Sequence, residues 1–185
     1  PALTTAQIQA LTTEQVAALT TDQIQDLTTL QVSSMQGADI AALTTAQIVA
    51  LTTEQAAALT TAQIVSLSTE QFSVMETRDL AALTTAQVAA IQASDLQVLD
   101  TAQIVALTTA QVAALTTSQV VALTSTQVAA LETADVAALT TAQVAAIQIS
   151  DLAAMGTAQI VALTTAQVQA LTTAQVSGLT TAQVQ

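Results

Sequence analysis

The chain holds no cysteine, histidine, lysine, tyrosine or tryptophan, and each absence closes off a chemistry. Without cysteine there is no disulfide framework and no thiolate nucleophile or metal ligand. Without histidine, lysine or tyrosine, a serine hydroxyl has no neighbouring base to activate it, so acyl transfer has no candidate residues. The sequence therefore predicts a protein that is not an enzyme, with no catalytic, cofactor-binding or metal-site residues and no cofactor. Positive charge is nearly absent as well: thirteen acidic side chains face one base, Arg78, for a net charge of −12. That balance argues against nucleic acid as a partner, because binding phosphates needs lysine and arginine to release counterions. Anionic membrane surfaces are disfavoured on the same ground. Long apolar runs are missing too. Hydrophobic residues make up 52% of the chain, yet a Thr-Thr pair or a Gln interrupts them every few residues, whereas a spanning helix needs roughly 20 in a row. No membrane insertion is expected, and no leader with a charged and then an apolar region is visible. Aromatic residues are reduced to Phe72, so any core must be narrow and aliphatic.

What the chain has is a repeat. After Pro1 it divides into 23 octads, from ALTTAQIQ at residues 2–9 to GLTTAQVQ at residues 178–185. Position two of the octad is Leu, Ile or Met in all 23, and position seven is a large apolar residue in 22, with Ala56 the exception. Position three is Thr in 15, and position six is Gln in 18 and Asp in five. One long helix cannot carry this pattern. Eight residues at about 100° each rotate the apolar stripe by about 80° per octad, and no seam survives that drift. A tight β-coil is disfavoured by three glycines and no asparagine for its corners, while Ala, Leu and Gln favour helix.

The remaining reading starts a new helix in every octad. In ALTTAQVAALTTSQV, residues 106–120, Thr108 is the N-cap and Gln111 completes a Thr-x-x-Gln capping box. Leu107 and Val112 form the hydrophobic staple of the same signature. Helix is expected from about Thr109 to Leu115, a segment of about two turns, far shorter than the 12 to 15 residues that are marginal in isolation. Each octad must then lie on its neighbours, as in other repeat architectures. The fold class expected is all-α: a solenoid or superhelical coil of about 23 short helices across residues 2–185, as a single unit.

Two substitution patterns refine this. The five octads with Asp at position six (Asp39, Asp79, Asp95, Asp135, Asp151) have a longer side chain at position three (Gln36, Glu76, Gln92, Glu132, Gln148). That pairing predicts an exchange of reach within the capping box, with the long partner now on the cap. Asp100 and Gly156 keep Gln103 and Gln159 and are acceptable caps. In addition Gln36, Gln92 and Gln148 stand 56 residues apart, as do Glu76 and Glu132, and Val49, Val105 and Val161. Either a block of seven octads was duplicated, or seven octads make two turns of the coil, about 3.5 helices per turn. With stacked helices 8–10 Å apart the array would be a rod roughly 60 Å long.

Candidate sites are few. Glu76 with Asp79, and Glu132 with Asp135, could offer carboxylate oxygens to calcium, but both pairs fit better as cap and third-position helix residues. Met35, Met75 and Met155 occupy the core position two, and Phe72 occupies position seven, so they read as packing residues rather than haem or copper ligands. Arg78 reads as a local surface ion pair. A regular Thr-Thr ladder could form an ice-binding face, except that position-three threonines are engaged as caps and the position-four row is broken by Gly37, Ala93 and Ile149.

The run ALTTAQIVALTTEQAAALTTAQIV, residues 42–65, resembles the octapeptide arrays of very large bacterial surface and secreted proteins, often labelled adhesion or haem-utilisation exoproteins. The resemblance implies an extracellular or cell-surface setting in bacteria, and the role of a stalk, adhesin or fibre. With no His, Tyr or Cys, haem binding has no support in these residues. The first expectation is thus a structural protein, a rigid spacer or filament subunit, either an excerpt of a longer array or a unit that stacks end to end or laterally on itself. The alternatives are a repeat scaffold that binds a ligand or partner along one face, and an ice-binding surface.

Overall fold

The computed structural model describes residues 3–185, and among these it is all-helical, with 22 short helices numbered α1 to α22 in chain order, from Thr5–Gln9 to Thr173–Ser177. Each octad supplies one helix, and the last octad closes with a turn at residues 181–183. Every helix whose cap is Thr, Ser or Asp begins with both arms of the capping box. At Thr108 the side chain accepts from the Gln111 N–H at 3.3 Å, while Gln111 Oε1 accepts from the Thr108 N–H at 2.7 Å.

The helices are shorter than the repeat pattern predicts. They span five or six residues, and α14 is Thr109–Ala114, with Leu115 already extended at φ −56° and ψ 137°. Position two is therefore the corner, not the last helical residue. Its N–H closes the helix with a short backward bond, Leu115 to the Val112 carbonyl at 3.2 Å. The extended φ and ψ then turn the chain into the next cap.

Packing follows a half-integral register. Helices three apart in sequence pack together: α7 (Thr53–Ala58) on α10 (Thr77–Ala82), α11 (Thr85–Ala90) on α14, and α16 (Ser125–Ala130) on α19 (Ile149–Ala154). Cross-turn hydrogen bonds join residues 26 to 31 apart, which brackets 28 residues, or three and a half octads per turn. Seven octads thus make two turns, and residues 56 apart, such as Val49, Val105 and Val161, return to one side of the coil.

Position seven faces the axis. Ile8 through Leu152 at this position are nearly solvent-free, Phe72 and Ala56 among them at 0%. Position two lines the next shell, with Leu107 at 4% and Leu115 at 5%. Ala56 and Phe72 lie two octads apart in the same turn, so the small residue offsets the large one and the local core volume is kept. Burying each aliphatic side chain is worth roughly 1.5–3 kcal/mol, and the core is one continuous line of them.

Candidate functional site

The feature that organises the molecule is position six. Its glutamines are buried polar residues: Gln47, Gln63, Gln87 and Gln111 are each 2% exposed. A buried amide must be paired, and here both ends are. Oε1 accepts the cap N–H of its own octad. Nε2 reaches the preceding turn, where Gln111 donates to the Leu80 carbonyl at 2.8 Å and the Leu83 carbonyl at 2.6 Å. Gln47 does the same to Val16 and Leu19, and Gln143 to Val112 and Leu115. The receiving carbonyls belong to position seven, which already accepts the corner N–H of its own helix, and to position two, which has no donor from its own helix. One side chain therefore satisfies the start of its helix and the end of another a turn below. The result is a ladder of glutamines running along the coil.

The first turn shows what the ladder needs. Gln7, Gln15 and Gln23 make the box bonds to Thr4, Thr12 and Thr20 but are exposed, because no described turn lies beneath them.

The five aspartate octads interrupt the ladder, and they correct the expected exchange of reach. Gln92 and Gln148 do not cap their helices; their side chains make no cap hydrogen bond. They donate instead to the preceding turn, to the Val65 carbonyl at 3.1 Å and the Val121 carbonyl at 2.7 Å, as Gln36 does to the Gln9 carbonyl at 3.0 Å. The long side chain replaces the lost cross-turn bond, one carbonyl further along, and the third helical N–H falls back on the cap's own carbonyl, Asp95 to Gln92 at 3.0 Å. Glu76 and Glu132 occupy the same place without a hydrogen to donate, and neither makes a cap bond. In the three glutamine pairs the long side chain thus bonds to the turn below rather than to its own cap, and only at Gln36 does the cap N–H still donate to the aspartate, Asp39 Oδ2 at 3.2 Å. Gly156 likewise offers only its N–H to Gln159, at 2.8 Å, having no side chain to return the bond.

Converting one such octad to the common pattern should stabilise it. A Gln92→Thr/Asp95→Gln double variant regains a cap and a buried cross-turn amide, and removes a buried carboxylate, for a gain of about 1–3 kcal/mol. Gln92→Thr alone should lose stability, since it breaks the bond to Val65 and leaves Asp95 in place. Denaturant titration of the four-member cycle measures this; effects that add within about 0.5 kcal/mol would remove the coupling.

The other sequence candidates fall as follows. Arg78 contacts Glu76 at 2.5 Å and Asp79 Oδ1 at 3.7 Å, so that acidic pair is met by the one base of the chain. Burial pushes the Asp79 carboxyl up, with the Thr53 hydroxyl and then Arg78 opposing it. Asp135 is 2% exposed beneath Glu132. No cluster of three or more His, Cys, Asp or Glu residues that could hold a metal ion occurs among the described residues. Met35, Met75 and Met155 lie in the core at 5%, 3% and 3% exposure, and their carbonyls are rungs of the ladder for Gln63, Gln103 and Gln183. The position-three threonines spend their hydroxyls on the capping boxes. The position-four threonines are mostly exposed, but the half-octad offset between turns aligns them only every second turn. No helix among the described residues is long and apolar enough to cross a membrane.

No curated protein matches the chain at a significant level. A family model described as the ALTTAQ repeat matches at residues 1–29, 32–69, 72–109, 88–125 and 144–185. The matched segments cover most of the chain and coincide with the octads that build the ladder, and the chain therefore belongs to the ALTTAQ repeat family.

Proposed function

We propose that this chain is a structural element: a rigid spacer, in the form of a stalk or fibre segment, of a bacterial cell-surface or extracellular protein. The observation that carries this reading is the ladder itself. One register holds from Gln31, bonded to the Leu3 carbonyl, to Gln183, bonded to the Leu152 and Met155 carbonyls. A repeat that contacts only its neighbours and conserves its register transmits stiffness along a line. The chain has no His, Cys, Lys or Tyr to act as nucleophile or as the base that activates one, which supports a non-enzymatic role.

The two ends of the described coil are complementary. The first turn presents the exposed amides of Gln7, Gln15 and Gln23. The last presents Val168, Val176 and Val184, which are 49%, 51% and 64% exposed although position seven is buried from Ile8 to Leu152. A further block of octads fits either end in the same register, whether it continues the chain or comes from a second copy. Such head-to-tail contact generates filaments. Sideways, Val49, Val105 and Val161 form an exposed apolar row in the 56-residue register, which suits lateral packing of one rod on another.

Electron microscopy of the purified chain across a concentration series tests this. Fibres of constant width that lengthen with concentration support self-stacking. Straight rods of a single length support a stalk segment and remove the stacking. Flexible or collapsed particles overturn the spacer role.

A further inference from the structure

Three buried carboxylate oxygens, Oδ2 of Asp79, Asp95 and Asp151, have no hydrogen-bond partner. Two of these aspartates are nonetheless well supported at Oδ1. Asp79 accepts from the Thr53 hydroxyl at 3.0 Å with Arg78 at its side, and Asp151 accepts from the Ser125 hydroxyl at 2.6 Å and the Ser150 hydroxyl at 3.2 Å. Asp95 has only the Ser94 hydroxyl, at 3.4 Å. It is 2% exposed, in the seat where other octads place a glutamine amide.

The register says what Asp95 faces. Position-six amides donate to carbonyls 31 and 28 residues back, which for residue 95 are those of Ile64 and Leu67. The Ile64 carbonyl already accepts from the Leu67 N–H at 3.2 Å. The Leu67 carbonyl receives no hydrogen bond from the described residues, the Gln92 amide having gone to Val65. By the glutamine register an unpartnered carboxyl oxygen and an unpartnered carbonyl share one buried seat, and Thr69, 26 residues back where Thr53 and Ser125 serve Asp79 and Asp151, makes no bond to Asp95. Two acceptors cannot satisfy one another; a proton between them can.

We infer that Asp95 carries a proton in the folded coil and donates from Oδ2 to a main-chain carbonyl of the preceding turn, making the joint between α12 (Ala93–Gln97) and α9 (Thr69–Ser73) tight in acid and loose as pH rises. The protonated carboxyl then imitates the glutamine amide of the other octads, with its carbonyl oxygen still free to accept from Ser94. Ionised, it sets a buried charge against carbonyl dipoles of the same sign. The charged groups around it do not compensate. Asp95 is the one titratable residue of α12; Glu70 on α9 is exposed, and α15 (Thr117–Ala122), packed on the other side, has none. Asp100 at the next cap is occupied by the Gln103 N–H at 2.8 Å. Burial pushes the Asp95 carboxyl up, and the Ser94 hydroxyl opposes this only in part. A raised folded value means that the folded state holds its proton where the unfolded chain has lost it. The stabilisation is complete below the unfolded value and is lost as pH rises through the folded one.

The test is carbon NMR of the Asp95 carboxyl in the intact chain, together with melting curves of the parent and Asp95→Asn from pH 3 to 8. The variant keeps the shape and a donor but cannot titrate. The expected result is an Asp95 midpoint above the ordinary carboxylate value. With it comes at least tenfold faster amide exchange in α12 at pH 7 than at pH 4, after correction for intrinsic rates. The decline in melting temperature with rising pH should be smaller in Asp95→Asn. An Asp95 midpoint at or below the ordinary value overturns the inference, as does an unchanged pH profile in the variant. The carboxyl titration is read on the parent chain, so it decides the matter even if the variant fails to fold.

Discussion

Gln111→Ala should destabilise the coil by about 3–5 kcal/mol, a large effect for a polar-to-alanine change. The side chain is 2% exposed and makes bonds in two directions: it accepts from the Thr108 N–H and donates to the Leu80 and Leu83 carbonyls. Truncation leaves the buried Leu83 carbonyl unpaired, at about 1–3 kcal/mol, strips the Thr108 N–H of its partner, and adds a cavity on the scale of the lost amide. The control is Gln15→Ala. Gln15 holds the same octad position and the same box bond, to the Thr12 N–H at 2.9 Å, but is exposed and reaches no turn below. It should lose only a capping contribution, about 0.5–1 kcal/mol. Gln111→Glu separates the two functions further. Its carboxylate can still accept from Thr108, but faces the Leu80 and Leu83 carbonyls with a second oxygen. It should be at least as damaging as alanine at pH 7, and should recover in acid. Denaturant titrations would measure all three. Equal losses at Gln15 and Gln111 would show that position six is a cap residue and nothing more.

That contrast also marks how far the sequence could be read. The capping box and staple of Leu107, Thr108, Gln111 and Val112 are local signals, so the helix per octad is legible from any single repeat. The turn of three and a half octads is only half legible: substitutions recur at Gln36, Gln92 and Gln148, an interval that two turns of the coil or a duplicated block of seven octads would leave alike. The second bond of each glutamine is not legible in a single repeat, because its partners lie 28 and 31 residues back and are main-chain carbonyls, which leave no mark on side-chain identity. A signal was present all the same. A capping box accepts Glu as readily as Gln, yet position six is Gln in 18 octads and Glu in none. Only a requirement for the donor end of the amide explains that choice. The aspartate octads mislead for the same reason: Gln92 and Asp95 do vary together, but the Gln92 amide bonds to Val65 on another turn. Helix length erred by a residue because Leu115 has helical propensity, whereas its place at the corner demands extended φ and ψ.

Leu107→Asp should be at least as severe, lowering stability by about 4 kcal/mol or more. Leu107 is 4% exposed at a corner with φ −63° and ψ 133°, its N–H bonded to the Ile104 carbonyl at 3.2 Å. Loss of a buried leucine side chain alone costs about 2–5 kcal/mol. The new carboxylate adds the penalty of a buried charge, since Arg78, one turn below, is exposed and already held by Glu76 and Asp79. Two residues away, Val105 is 44% exposed at position eight, and Val105→Asp should change stability by less than about 0.5 kcal/mol. The same substitution thus tests core and surface two residues apart, across one octad boundary. The manner of failure is as informative as its size. Each octad touches only the turns above and below, so damage at Leu107 should not unfold the whole coil at once. It should split one cooperative melting transition into two, as the flanking blocks lose their coupling. Calorimetry and hydrogen exchange on both variants check this: a drop of more than about 10 °C in the first transition is expected for Leu107→Asp, with amide protection retained towards both ends. Matching melting curves for the two variants would mean that position two does not face the core, and the coil as described would be wrong.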